Sequence, residues 1–304
     1  MAVELTGESV KQLQLKSPTG HFSNGTALYL AHASLEAIEH LHKIGYVHRN
    51  INPDHFLIGR GRFIRRLYII SFCNSRRYKG NDGVLYRERQ RVKFVSTPRY
   101  ASPSALRLKD QGRKDDLISW FFMVVELFRG SLPWSTHDIE LMDEEAFEYK
   151  QLLEEVADEK EKIIFNRPEI LIGDAPQELH DLLRYLMALD FDERPDYTGI
   201  RNFLFEICST TVEDKTQLLD FEPSGMTAIE VDRPDMDESF VSDLQSFPEQ
   251  DLITADKFKS TQYITPEFDI RDKHGTGLKA KKNNHASRYE SKKRGNAKKL
   301  RKSR

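Results

Sequence analysis

The chain has 304 residues with a formal net charge of −2, 38% hydrophobic and 31% charged residues, more polar than an ordinary globular domain and pointing to an unfolded portion. Its longest purely apolar run, residues 120–125, is far below the roughly 18 residues that cross a bilayer, the N-terminus shows no basic-then-apolar secretory pattern, and two cysteines, Cys73 and Cys208, cannot staple a scaffold. The near-neutral average hides a split, because residues 273–304 hold 13 Lys/Arg against a single acid, Glu290, and leave −14 on the remaining 272 residues.

Residues 23–43 read as a helix: Leu28, Ala31, Leu35, Ile38 and Leu41 recur at helical spacing, with Ser23 as cap and Gly45 as stop. Two short strand-like runs follow, 55–58 and 67–72, parted by the turn-prone Gly59-Arg60-Gly61. Residues 115–128 are apolar nearly all round, the pattern of a helix wrapped by others, and Gly130 and Pro133 close it. Residues 144–160 form an amphipathic, highly charged helix. A further helix starts at Pro176, with Leu179, Leu182, Leu183, Leu186 and Met187 on one face; another follows Pro195 with Tyr197, Ile200, Phe203, Leu204 and Ile207. Past about Ser209 the periodicity fades into sequence that cannot offset the entropy of ordering it. The expected organisation is a folded body over 1–210, an acidic disordered linker over 211–272 and a basic disordered tail over 273–304, with no internal repeat.

Between the first helix and the first strand stands His48-Arg49-Asn50-Ile51-Asn52-Pro53-Asp54-His55, followed by Phe56-Leu57-Ile58-Gly59. This segment resembles the catalytic loop of protein kinases, and its continuation is similar to the casein kinase 1 superfamily. In the same order, Tyr68 to Cys73 lies where the Asp-Phe-Gly motif would be. Tyr86-Arg87-Glu88 and Arg99-Tyr100-Ala101-Ser102 resemble that superfamily's activation segment. Arg113 to Leu117 resembles the start of its buried central helix, and Arg194-Pro195-Asp196-Tyr197 a signature near the domain's end. The resemblance runs over about residues 1–208 and is closest to the casein kinase 1 and tau-tubulin kinase branch. It implies a mainly α fold, a protein-kinase-like C-terminal lobe with a short β element. Residues 1–7 look like the hinge between the two kinase lobes, so the N-lobe is expected to be absent. The close glycine pairs, Gly59 with Gly61 and Gly275 with Gly277, read as simple turns rather than a phosphate loop.

Set against the family's motifs, five positions depart from the catalytic pattern. Asn50 replaces the aspartate that orients the substrate hydroxyl and takes its proton; a carboxamide can hold a hydroxyl but has no useful basicity. Asn52 replaces the phosphate-steadying lysine, His55 the metal-binding asparagine, Ser71 the chelating aspartate and Cys73 the glycine. The framework residues His48, Arg49, Phe72 and Asp116 match, and Thr97 sits where the family has a threonine beside the substrate platform, although Ser96 replaces the preceding glycine. The expectation is therefore a catalytically inactive, pseudokinase-like interaction module, not an enzyme. No cofactor is expected, although the family uses ATP and magnesium.

No Cys/His spacing resembles a zinc site, and His40 and His42 point to different faces of their helix, so no metal is expected. Arg76 and Arg77 could activate Cys73, although a packed cysteine is the expected role. The run Arg87, Arg89, Arg91, Lys93 could receive an acidic or phosphorylated peptide or protein partner. The tail's lysine clusters fit nuclear import or nonspecific nucleic-acid contact. Two alternative functions stand beside the inactive module: a serine/threonine kinase of the casein kinase 1 superfamily represented by a fragment or truncated gene model, and a nuclear protein acting through its tail. The expected address is cytoplasmic, nuclear or both. A lobe lacking its partner lobe is also expected to expose an apolar patch and self-associate.

Overall fold

The computed structural model describes residues 6–134, 136, 147–212 and 219–222. In chain order these form α1 (Val10–Lys16), α2 (Asn24–Lys43), β1 (Tyr46–Val47), β2 (Phe56–Ile58), β3 (Leu67–Ile69), β4 (Arg76–Arg77), α3 (Pro103–Leu106), α4 (Arg113–Arg129), α5 (Phe147–Asn166), α6 (Pro168–Ile172), α7 (Leu179–Ala188) and α8 (Tyr197–Thr211). The result is mostly helical with few short strands. None of these helices is long and apolar enough to cross a membrane.

The core is built around α4, whose apolar residues point in every direction because neighbours surround it. Leu117, Trp120, Phe121, Phe122, Val124, Val125 and Leu127 are fully buried, each such side chain contributing roughly 1.5–3 kcal/mol through apolar burial. The helix packs on α2 and α7, and α8 in turn packs on α2. Trp120 buries its ring without orphaning its indole N–H, which donates to the Ser34 hydroxyl at 2.9 Å and to the Ala31 carbonyl at 3.2 Å. Gly130 ends α4 at φ 80°, and a Cβ there would come within 2.8 Å of the Gly20 carbonyl oxygen.

The strands make two small antiparallel ladders that frame one loop. β2 pairs with β3 in the register Phe56↔Ile69, Leu57↔Tyr68, Ile58↔Leu67. β1 pairs with β4, Tyr46 opposite Arg77 and Val47 opposite Arg76. The strand expected from residue 55 starts one residue later: the Asn52 side chain accepts the Asp54 amide at 3.0 Å and winds Pro53–His55 into a turn instead. The run expected to reach residue 72 stops at Ile69, and the chain turns through Ser71 at φ 68° into a helical turn over Phe72–Asn74.

The helix expected from Pro176 begins at Leu179, after a separate turn in which the Leu179 amide donates to the Pro176 carbonyl at 3.1 Å. The charged helix runs on past residue 160 to Asn166; its expected first residues, 144–146, lie outside the described residues. α5 carries a second, smaller core, in which Tyr149, Leu153, Val156 and Ala157 meet Ala101, Ala105 and Leu106.

The folded body also takes in residues beyond 210. α8 continues to Thr211, and residues 219–222 lie against the start of α2. Asp220 accepts the Ser23 amide and the Ser23 hydroxyl, both at 2.7 Å. Arg65 donates to both oxygens of Glu222, at 2.5 and 3.0 Å. The rest of the expected acidic linker and the whole expected basic tail lie outside the described residues.

Candidate active site

The loop between β1 and β2 is held from below by the first turn of α4. Asp116 reaches up with both carboxylate oxygens: Oδ2 accepts the His48 amide at 2.6 Å and Oδ1 the Arg49 amide at 2.7 Å. This fork suits a backbone that bends sharply here, since Arg49 sits at φ 67°. Oδ2 also lies 2.9 Å from His42 Nε2, whose ring Nδ1 is 2.6 Å from the Tyr197 hydroxyl. Burial pushes the Asp116 pKa up, but the His42 hydrogen bond, the two neighbouring imidazoles and the His48 amide together hold it below the usual aspartate value. An anion is therefore locked beneath the loop.

Each motif residue can now be located. His48 is buried, its Nε2 2.9 Å from the Ile70 carbonyl, and burial pushes its pKa down. Asn50 Oδ1 accepts the Thr97 hydroxyl at 2.9 Å and the Asn52 amide nitrogen at 3.2 Å. His55 Nδ1 lies 2.8 Å from the Asn50 carbonyl oxygen and 3.1 Å from the Asn52 side-chain nitrogen. Positions 48, 50, 52, 55 and 97 thus form one connected cluster. Phe72 presents an edge to the His48 ring at 5.7 Å while remaining about half exposed. Cys73 is exposed, which corrects the expectation of a packed cysteine. The arginines that were to activate it are engaged elsewhere, Arg76 with Asp110 and Arg77 with Asn81.

The basic run divides. Arg87, Arg89, Arg91 and Lys93 are all exposed, but Arg89 is fixed on Asp110, donating from its guanidinium at 2.9 and 3.0 Å and from its backbone amide at 3.1 Å. Arg76 meets the same carboxylate at 2.5 Å. Burial pushes the Asp110 pKa up, but the Arg89 and Arg76 hydrogen bonds overwhelm it and bring it down to about 2. Arg49, whose Nε donates to the Asn74 carbonyl at 2.6 Å, has its own pKa lowered first by burial and then by Arg89 and Arg76 nearby.

Magnesium takes oxygen donors in octahedral geometry. An imidazole at 55 and a neutral hydroxyl at 71 do not fit it, and among the described residues no three His, Cys, Asp or Glu side chains gather as a metal site.

Asp110 and Lys160 escaped the sequence reading, and His42 entered it only as a residue unsuited to a metal. His42 shares a helical face with Leu35 and Ile38, and Lys160 stands in register with Tyr149, Leu153 and Val156 on the buried face of α5. A polar residue in an apolar stripe was the available signal. Asp110 carried no such mark.

A profile described as protein kinase domain matches residues 2–205. A probable serine/threonine-protein kinase of Dictyostelium discoideum is 32% identical over 213 residues, covering 70% of this chain and 40% of that protein. The chain thus spans about 40% of the length of that curated relative. The kinase-domain match and the kinase relative overturn the expectation, drawn from the substitutions at 50, 52, 55, 71 and 73 and an absent N-lobe, that the chain is not an enzyme.

Proposed function

Because the chain belongs to the protein kinase family, we propose that it supplies the catalytic loop and substrate platform of a serine/threonine protein kinase that moves a phosphoryl group from ATP to a protein hydroxyl. The observation that carries this reading is the assembled loop: Asp116 fixes the His48 and Arg49 amides, and the Thr97 hydroxyl docks on Asn50 at 2.9 Å. Phosphoryl transfer proceeds through a loose transition state and asks the protein mainly for positioning.

Asn50 offers a carbonyl oxygen that can hold the substrate hydroxyl in line once the substrate displaces the 3.2 Å bond from the Asn52 side chain. As the new O–P bond forms and the bond to ADP breaks, the hydroxyl proton passes to a phosphoryl oxygen, since the carboxamide does not take it. A general base contributes roughly 10²–10⁴-fold, so the expected enzyme is slow. No step runs through a metal ion at 55 or 71, whose donors do not suit magnesium.

Within the family, Phe56-Leu57-Ile58-Gly59 and Arg99-Tyr100-Ala101-Ser102 favour the casein kinase 1 and tau-tubulin kinase branch. The exposed Arg87, Arg91 and Lys93 favour acidic or already phosphorylated protein substrates. The basic segment 273–304 would add nonspecific attraction to nucleic acid, in the cytoplasm or the nucleus.

The test is phosphate incorporation by the 304-residue chain into an acidic serine peptide from labelled ATP. Slow incorporation that Asn50→Ala diminishes and Asn50→Asp raises by at least ~10-fold supports the proposal. Incorporation that stays at background in the wild type and in Asn50→Asp refutes it.

A further inference from the structure

Lys160 is completely buried, and no carboxylate lies within ion-pair distance of it among the described residues. Its ammonium instead donates to three backbone carbonyls of one short segment: Ala101 at 2.8 Å, Pro98 at 2.9 Å and Arg99 at 3.0 Å. Two aromatic faces complete the seat, with Trp134 at 4.6 Å and Phe122 at 5.0 Å from Nζ to ring centroid. Three carbonyls match the three N–H donors of a charged lysine; a neutral amine has only two. The Arg99 carbonyl is held a second time, by the Trp134 indole N–H at 2.9 Å.

What the ammonium grips is the turn behind the catalytic loop. The amides of Tyr100 and Ala101 both donate to the Thr97 carbonyl at 3.0 Å, and the Thr97 hydroxyl donates to Asn50 at 2.9 Å. One continuous line of hydrogen bonds therefore runs from a lysine on α5 through residues 98–101 to the residue at the catalytic position. The rest of α5 reinforces the direction of this hold: Arg107, just beyond α3, donates to Asp158 and Glu161, each at 2.7 Å.

The geometry points to Lys160 as a positioning residue, whose buried ammonium sets the 98–101 turn and through it the placement of Thr97 on Asn50. The service to a substrate platform rests on the kinase reading above; the clamp itself does not. The charged groups facing the amine are Arg99 from the turn and Glu159 on its own helix, while α4 and the turn at residue 134 present Phe122 and Trp134. Burial, and secondarily Arg99, pushes the Lys160 pKa well below the ordinary lysine value. The three-bond clamp is thus complete at low pH and loses one donor as pH rises through that lowered value, before the ~10.4 at which free lysines titrate.

The experiment is residue-resolved hydrogen exchange on the full chain, corrected for the intrinsic pH dependence of exchange. In Lys160→Met the Tyr100 and Ala101 amides are expected to exchange at least ~10-fold faster while α4 amides change little. In the wild type the same two amides should lose protection as pH rises, below the ~10.4 at which free lysines titrate, with the Lys160 13Cε shift titrating in step. Lys160→Met should show no such pH dependence. Should Lys160→Met fail to fold, Lys160→Gln and the wild-type pH series decide. Unchanged exchange at 100 and 101, or a wild-type series flat in pH, overturns the clamp. If peptide phosphorylation is present, the variant should raise the peptide KM more than it lowers kcat. If phosphorylation is absent while the exchange pattern holds, the kinase reading fails and the clamp stands.

Discussion

Asp116 stands 68 residues after His48 in the chain, yet its carboxylate accepts the His48 amide at 2.6 Å, closer than most neutral hydrogen bonds. A loop with a left-handed arginine at its centre is kept in shape by a charge on another element.

Asp116→Asn leaves the shape of the side chain and replaces one acceptor by a donor that faces the His48 or Arg49 N–H. We expect a loss of about 3 kcal/mol in unfolding free energy by urea titration, from one buried backbone amide left unpaired and a second bond weakened. Because the folded pKa of Asp116 is held below its ordinary value, its contribution is present above roughly pH 4 and is lost as pH falls through the lowered value. The wild type should therefore show an acid-side decline in Tm that is shallower in the variant.

Asp110→Asn removes the charge that gathers Arg76 and Arg89. The expected cost is about 1–2 kcal/mol, limited because the Arg89 side chain is 44% exposed. Trypsin should cut near Arg89 faster in the variant. With the Asp110 pKa near 2, the wild type should lose this contribution only as pH drops from ~4 toward that value.

Arg87, Arg91 and Lys93 should act together on an acidic peptide and Arg89 should not. Replacing the three by alanine is expected to weaken binding of a phosphorylated peptide by about 10-fold at low salt, with the difference shrinking as the Debye length falls toward 8 Å. Fluorescence anisotropy at two salt concentrations measures it; equal affinities for the triple variant and the wild type would remove the basic strip from substrate binding.

Glu222→Ala severs the two-point contact with Arg65. An ion pair in which Glu222 is wholly buried and Arg65 15% exposed should be worth more than a surface pair, and the expected cost is about 2–3 kcal/mol. Asp220→Ala, which leaves the Ser23 cap of α2 in place but removes the carboxylate that Ser23 donates to, should cost about 1 kcal/mol. Differential scanning calorimetry of the two variants separates these contributions.

The helices were legible where burial is one-sided or complete, because α2, α4 and α8 repeat apolar residues at the helical period over many turns. α1 was not, although Ser9 and Gln12 form a full capping box, since seven residues give too short a stripe to count. β1 and β4 pair over only two residues each and leave no alternation to read. At the site, the loop residues 48, 50, 52 and 55 were recognisable as a motif. The expectation of no enzyme came from the substitutions at 50, 52, 55, 71 and 73 together with an expected absence of the N-lobe, and the family match overturns it. His42, Asp110 and Lys160 act through sequence separations from 21 residues, for Asp110 and Arg89, to 155, for His42 and Tyr197, and no local pattern encodes their partners.

Asp220 lies 197 residues downstream of the Ser23 amide that it receives. On the ribosome α2 emerges early with its first turn capped locally, the Thr26 amide donating to the Ser23 hydroxyl at 3.4 Å, whereas the Ser23 amide must wait for nearly the whole lobe to be synthesised before its acceptor arrives. Closure of so distant a contact belongs among the last events of assembly. A polysome-bound chain stopped short of residue 219 would carry a Ser23 amide still solvated by water, and chaperones would meet the lobe in that unfinished form.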